Sequence, residues 1–381
     1  MRSKIQKQKV LIFASFPLSS LMEGFVGRGG GQGATWLPQL AQIWESCQDF
    51  KIHWGIFDKD ATREKSINRL NQTFHQIVCP SMSASLLMGR WPHRLSAAKL
   101  IKRIQPEIIH CWGTENMNGV ALPVFNGPSI LSMQGIVKRY LETGDLRSWQ
   151  WKLLRYYESR SIRRAKIVTC ESQWGLKQIA EISPHKPTQR IEYGVHPSFY
   201  YTTWMPNALQ PRFLFVGGLN RLKGVDILIE MLRRHPKRNW KMVFAGDGYL
   251  MNALKSLNDP MVEILGMLKT EQVRQEMSKS WGLIMPSRAD TSPNVVKEAR
   301  VIGLPVVGSL HGGHAEYIDH SKDGIIVDSE NSDAWFKSIN FLAMNYELCL
   351  QMGRRRREHF RTYFRPEKTA DEFLNLYRSL L

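Results

Sequence analysis

The chain has 381 residues, 43% hydrophobic and 23% charged, a balance that supports packed cores and excludes an intrinsically disordered chain. No uninterrupted apolar run reaches the roughly 18 residues of a spanning helix. The formal net charge is +18, and residues 1–205 hold 27 Lys and Arg against 14 Asp and Glu, so most of the excess lies there. Such a field suits an anionic partner: a membrane surface, a nucleic acid or a phosphorylated substrate.

Residues 1–9 are basic and residues 10–22 mostly apolar, the outline of a secretory signal, but no A-x-A-like cleavage site follows. Residues 10–14 therefore read as a buried first strand. Short β-branched or apolar runs follow at 52–57, 77–79, 108–111, 129–132 and 167–170, with longer helical patterns between them. The second half repeats the alternation at 213–216, 241–245, 262–265, 282–285, 306–308 and 324–327. This rhythm predicts two α/β domains with parallel sheets, and ligands outside the carboxyl ends of the strands. Residues 198–211, with Pro206, Pro211 and several polar residues, predict the linker between them. Cys47, Cys79, Cys111, Cys170 and Cys349 are odd in number and form no C-x-x-C, which fits a reducing, cytoplasmic setting and gives no metal-site spacing.

The segment Met285-Pro286-Ser287-Arg288-Ala289-Asp290-Thr291-Ser292-Pro293-Asn294-Val295-Val296-Lys297-Glu298 carries the densest chemistry. An apolar strand ends near Pro286, a polar loop follows, and a helix begins close to Pro293. Free N–H groups at that helix start favour an anion such as a diphosphate. Asp290 in the loop and Glu298 in the helix can grip two sets of hydroxyls. Beyond them come the strand Gly303-Leu304-Pro305-Val306-Val307 and the turn Gly312-Gly313-His314-Ala315-Glu316, whose glycines permit close backbone approach to a ligand.

Residues 285–327 resemble the carboxy-terminal domain of the retaining glycosyltransferases of family 4, which have the GT-B architecture. The shared pattern is an acid, seven residues, a second acid, a Gly-x-Pro-Val-Val strand and a Gly-Gly-x-x-Glu turn. Asp290 stands where the family more often has glutamate, and Glu298 fills the second acid position. The resemblance implies two Rossmann-like domains with parallel sheets facing across a cleft and a terminal helix crossing back to the first domain. The expected boundaries are 1–205, 206–364 and 365–381. It further implies that Glu298 holds the donor ribose and Asp290 the transferred sugar, with Thr291, Ser292, Pro293 and Asn294 beside the donor. Upstream, Val216-Gly217-Gly218-Leu219-Asn220-Arg221-Leu222-Lys223-Gly224 matches the strand-loop-helix that contacts the donor diphosphate. Lys223 matches the family lysine; Gly218 replaces the usual arginine, and Arg221 is near enough to serve instead. The Gly246-Asp247-Gly248 turn and Gly266-Met267-Leu268 match the segments beside the donor, the second next to the nucleotide base.

The first half matches more sparsely. Gly27-Arg28-Gly29-Gly30-Gly31-Gln32-Gly33 resembles the family's first glycine-rich loop, with Gly30 and Gly31 at the donor phosphates. Gln134 stands where many members have histidine near the reacting sugar; glutamine cannot act as a general base, so its role would be hydrogen bonding or steric. Tyr193 replaces a usual asparagine. Basic residues interleave with aromatics in residues 86–104 and 149–164, as in segments that meet anionic headgroups. The run Arg354–Arg357 reads as a solvated helix end.

The expected function is retaining transfer from a nucleotide-diphosphate sugar to a glycan or lipid-linked acceptor, in cell-surface polysaccharide or lipopolysaccharide synthesis. No cofactor or essential metal is expected, and the site would be cytoplasmic or on the inner face of the membrane. The same fold also serves phosphorylases and sugar-nucleotide epimerases, which product analysis separates. The +18 charge leaves a basic nucleic-acid-binding protein as a third reading, although no nucleic-acid module is recognisable.

Overall fold

The structure, a computed structural model, describes residues 7–18, 36–144, 148–328 and 330–381. Gly30, Gly31 and the rest of their glycine-rich segment lie outside the described residues. The chain divides into two compact units: Met1–Lys138 with Arg147–Gly194 and Pro366–Leu381, and Arg139–Leu146 with Val195–Arg365.

The first unit is built on an eight-stranded sheet. Its strands are β1 (Gln8–Phe13), β2 (Phe50–Asp58), β3 (Lys65–Arg69), β4 (Gln72–Val78), β5 (Ile108–Trp112), β6 (Ser129–Met133), β7 (Ile167–Cys170) and β8 (Thr188–Arg190). They lie in the order β3-β4-β2-β1-β5-β6-β7-β8. β1 and β5 are buried almost throughout, as expected for parallel strands covered on both faces. The sheet is mixed rather than wholly parallel, because β3 pairs antiparallel with β4 at one edge. β3 is polar and largely exposed, so it lacks the apolar signature of its neighbours. β4 is longer than the apolar run at 77–79 suggested, since its polar side chains are buried in hydrogen bonds to side chains of β2. Trp54 Nε1 donates to Gln72 Oε1 at 2.8 Å, and Gln76 Nε2 to Asp58 Oδ2 at 2.7 Å.

The terminal helix Pro366–Ser379 belongs to this first unit and packs on helix Trp36–Trp44. Trp44 Nε1 donates to Ala370 O at 3.3 Å, and the Trp44 ring contacts Trp54 and Tyr377. Tyr377 Oη in turn meets His110 Nδ1 at 2.8 Å, which ties the helix to β5.

The second unit holds β9 (Arg212–Val216), β10 (Lys241–Ala245), β11 (Val262–Gly266), β12 (Gly282–Met285), β13 (Val306–Ser309) and β14 (Gly324–Val327). Every pairing is parallel, in the order β11-β10-β9-β12-β13-β14. This is the doubly wound order whose direction reverses between its first and fourth strands, here β9 and β12. The crevice that such a reversal opens at the carboxyl ends is the usual place for a ligand.

Residues 198–211, expected as a linker, pack instead on this second unit. Phe199 is fully buried in the 3-10 helix Pro197–Tyr201. Trp204 Nε1 donates to Ser280 O at 2.8 Å, Trp281 Nε1 to Asn207 O at 2.9 Å, and Tyr346 Oη to Pro206 O at 2.9 Å. Aromatic anchors thus override the proline content of the segment. Among the described residues no helix is long and apolar enough to cross a membrane.

Trp44→Ala should lower unfolding free energy by about 3–5 kcal/mol, the usual loss for a large buried aromatic. Urea denaturation checks this, and a loss below about 1 kcal/mol would mean that the terminal helix is not held through Trp44.

Candidate functional site

The site in the second unit starts from the neighbouring strands β9 and β12. Their following loops meet through backbone. At Gly224, φ is +75° and an added Cβ would lie 2.1 Å from Pro286 O, so only glycine allows this approach. Arg288 N donates to Leu222 O at 3.0 Å across the same seam. The seam brings Lys223 Nζ onto Asp290 Oδ2 as an ion pair. Asp290 is buried, and the Lys223 backbone N–H is itself held by Asn220 Oδ1 at 2.9 Å.

The glycine turns continue the stitching. A Cβ at Gly246 would sit 1.9 Å from Gly217 O, and one at Gly248 would sit 2.4 Å from Leu219 O. Leu219 N donates to Asp247 O at 2.8 Å, and Gly246 N to Gly266 O at 2.7 Å. The loops after β9, β10 and β11 therefore form one backbone-bonded rim. On it Met267 is exposed and Leu268 half-buried.

Helix Asn294–Ile302 begins after Pro293 with no side-chain cap; Val296 N donates to Pro293 O at 3.0 Å, which leaves the N–H groups of Asn294 and Val295 for an external acceptor. Thr291, Ser292 and Pro293 are buried and Asn294 is half-buried. Ser292 Oγ meets Tyr317 Oη at 2.7 Å. Glu298, one turn into the helix, is half-buried and accepts no hydrogen bond among the described residues. Burial pushes its carboxyl up to about 7, against the pull of Lys297. A carboxyl group in that condition lacks the donors that would stabilise its ionised form, and sugar hydroxyls are such donors.

The Gly312-Gly313 turn closes on the same loop. Gly313 N donates to Asp290 O at 2.8 Å, and Gly312, at φ +123°, leaves room for that carbonyl and for His314. The spacing of Asp290 and the glycine pair thus becomes a direct contact.

Several residues contribute that the sequence did not single out. Arg288 spans Asp226, at 2.7 and 3.0 Å, and Glu330, at 2.6 and 3.1 Å. His314 is fully buried, with Nε2 3.0 Å from Ser309 Oγ and no partner for Nδ1 among the described residues. Burial pushes its ring down to about 4, which keeps it neutral. Arg300 binds Asp323 at 2.8 Å, and Arg356 joins at 3.3 Å. Arg356, expected in a solvated run, thereby belongs to a buried network that fixes the helix carrying Glu298. Adjacency to the glycine pair could have flagged His314; nothing in the spacing flags Arg288 or Arg300.

Arg221 is more exposed than Lys223, and its Nε lies 4.0 Å from Asp226 Oδ2. Gln134 lies in the first unit, after β6, half-buried. Its Oε1 lies 3.2 Å from where a Cβ at Gly113 would stand. Nearby Glu158 accepts Val137 N at 3.0 Å and Thr114 Oγ1 at 3.3 Å, and burial pushes its carboxyl up to about 8. Tyr193 is buried and accepts from Trp112 Nε1 at 2.9 Å.

Because folding raises the Glu298 pKa from 4.5 to about 7, the folded chain holds the extra proton between those values and loses stability as pH rises through them. Glu298→Gln should therefore be more stable than the wild type at pH 8, by about 1–3 kcal/mol, with the gain gone at pH 4. Urea denaturation at pH 4, 6 and 8 reads this; a gain independent of pH would contradict it.

Residues 210–345 match the family of glycosyl transferases group 1. An uncharacterized glycosyltransferase of Methanocaldococcus jannaschii is 29% identical over 230 residues, 59% of this chain and 63% of that protein. The chain spans less than two thirds of the length of the first curated relatives it matches. Sucrose-phosphate synthase of Thermosynechococcus elongatus shares the fold with a TM-score of 0.82 at 17% identity, over 98% of this chain and 99% of that one. Anabaena HepE, solved with UDP and glucose, superposes with a TM-score of 0.72 at 15% identity, over 98% of this chain and 100% of its own. The architecture is GT-B, two Rossmann-like domains.

Proposed function

We propose that this chain, whose residues 210–345 form a glycosyl transferases group 1 domain, is a retaining glycosyltransferase that takes its sugar from a nucleotide-diphosphate sugar. The observation that carries the reading is the Lys223–Asp290 pair at the β9/β12 reversal, beside the uncapped helix that holds Glu298. An ammonium group has three donors and Asp290 takes one, so Lys223 retains capacity for a diphosphate. Arg221, exposed on the same loop, supplies a second cation. Together they stabilise the charge that grows on the leaving diphosphate as the glycosidic bond breaks. No resident metal is required for that step.

Asp290 accepts hydroxyls of the transferred sugar, and Glu298 accepts those of the ribose. The leaving diphosphate takes the acceptor proton on the face that it departs from, which gives retention. The UDP and glucose held by HepE support a nucleotide sugar as donor. A glycan or lipid-linked glycan of the cell surface is the acceptor that the resemblance favours, used at the inner face of the membrane.

A thermal-shift panel of nucleotide sugars tests donor binding, since a bound donor stabilises the fold by mass action. With the sugar so identified, Glu298→Ala and Lys223→Ala should each lower kcat/KM by about 100-fold or more. Wild-type turnover in Glu298→Ala would sink the assignment.

A further inference from the structure

A second concentration of charge lies in the first unit, away from any motif of the donor site. A pocket of about 640 Å³ opens between the turn Gly89-Arg90, the start of helix Trp91–Ile104 and helix Trp149–Arg164. Five of its ten lining residues are arginine, namely Arg90, Arg94, Arg160, Arg163 and Arg164, and none is Asp or Glu. The acid nearest in sequence, Glu158, turns its carboxylate to Val137 N and Thr114 Oγ1 instead.

Arg90 is the decisive group. It is only 6% exposed, and its guanidinium makes no hydrogen bond or ion pair among the described residues. Its Cζ rests 4.3 Å from the centre of the Tyr157 ring, which holds the plane of the group in place. The backbone at Arg90 is left-handed, with φ +65°, a conformation uncommon for a residue with a side chain. Arg94 Nε is likewise buried without a partner. Among the described residues Arg160 donates to Tyr156 Oη alone, at 2.7 Å, and Arg164 to the neutral acceptors Asn126 Oδ1, Leu122 O and Phe125 O. Burial first, and then the charges of Arg94 and Arg160, pull the Arg90 guanidinium down to about 10, still charged at neutral pH. Buried charges are ordinarily paired, so an uncompensated group of this kind is held for a counter-charge from outside the chain.

We propose that this pocket binds the phosphate of a phosphate ester, with Arg90 as its central anchor and Arg94 and Arg160 as flanking donors. Guanidinium forks match phosphate oxygens bidentately, and several converging arginines favour a group with more than one negative charge. Met88 and Trp91, which flank Gly89-Arg90 in the chain, are both exposed and set apolar side chains next to that turn, as a lipid-borne phosphate would favour. The site does not rest on the donor-site reading, because it shares no residue with it.

Calorimetric titration of inorganic pyrophosphate into Lys223→Ala, which removes the fixed cation of the proposed diphosphate contact, reads this pocket as the part of the binding that the arginine variants take away. We expect binding that weakens about tenfold or more on adding Arg90→Met or Arg160→Met. Sedimentation with phosphatidylcholine vesicles, with and without phosphatidylglycerol, identifies the source. Binding to the anionic vesicles alone, lost in Arg160→Met, assigns the phosphate to a lipid headgroup; pyrophosphate binding without vesicle binding assigns it to a soluble ester. Arg160 is exposed, so its variant remains decisive if Arg90→Met fails to fold. Absence of both pyrophosphate and vesicle binding, or affinities unchanged in the arginine variants, overturns the proposal. A donor site that fails its own test while pyrophosphate binding remains sensitive to Arg160 leaves this pocket standing.

Discussion

The parallel pairing of β9 with β12 is the constraint on which the candidate donor site depends. Two strands far apart in sequence become neighbours, and the helices that follow them leave for opposite sides of the sheet. Only the loops at the carboxyl ends can meet, and they meet tightly because Gly224 lets its backbone touch Pro286. Lys223 and Asp290 are brought together by that contact. Any side chain at position 224 would force the loops apart and separate the pair, although neither charge had been altered.

Most strands were legible because a parallel strand covered on both faces has to be apolar throughout. Phe213-Leu214-Phe215 and Ile108-Ile109 show this directly, as all are fully buried. β3 and β4 escaped for opposite reasons. β3 is an exposed edge with no apolar face, whereas β4 buries polar side chains that hydrogen-bond to side chains of β2. Residues 198–211 misled because prolines announce a break in regular structure but say nothing of packing, and Phe199 and Trp204 supply the packing.

The site was legible to the extent that its chemistry is sequential. Asp290, Glu298 and the glycine pair sit in one strand-loop-helix, so their spacing carries their geometry. Arg288, His314 and the Arg300–Asp323 contact are long-range facts. An isolated arginine in sequence reads as a surface charge, and only the fold shows that Arg288 is clamped between Asp226 and Glu330. The arginine pocket was visible as a basic aromatic stretch, but the absence of any acid from its lining is a property of three dimensions.

One departure from the family pattern, Gly218, is connected in space to the lysine that keeps it. Gly218, where an arginine is usual, stands so close to Asn220 that an added Cβ would lie 2.7 Å from Asn220 Nδ2. The other side-chain atom of Asn220, Oδ1, holds the backbone N–H of Lys223. A larger residue at position 218 would therefore displace the group that positions the lysine. The loss of one cation is thus tied to the firm placement of another. Arg288 cannot make up the difference, because two carboxylates already hold it. Arg221 can, because its side chain is exposed and its Asp226 contact is long. In the proposed donor site the diphosphate would then meet one charge held by an ion pair, Lys223, and one held only by a long contact, Arg221.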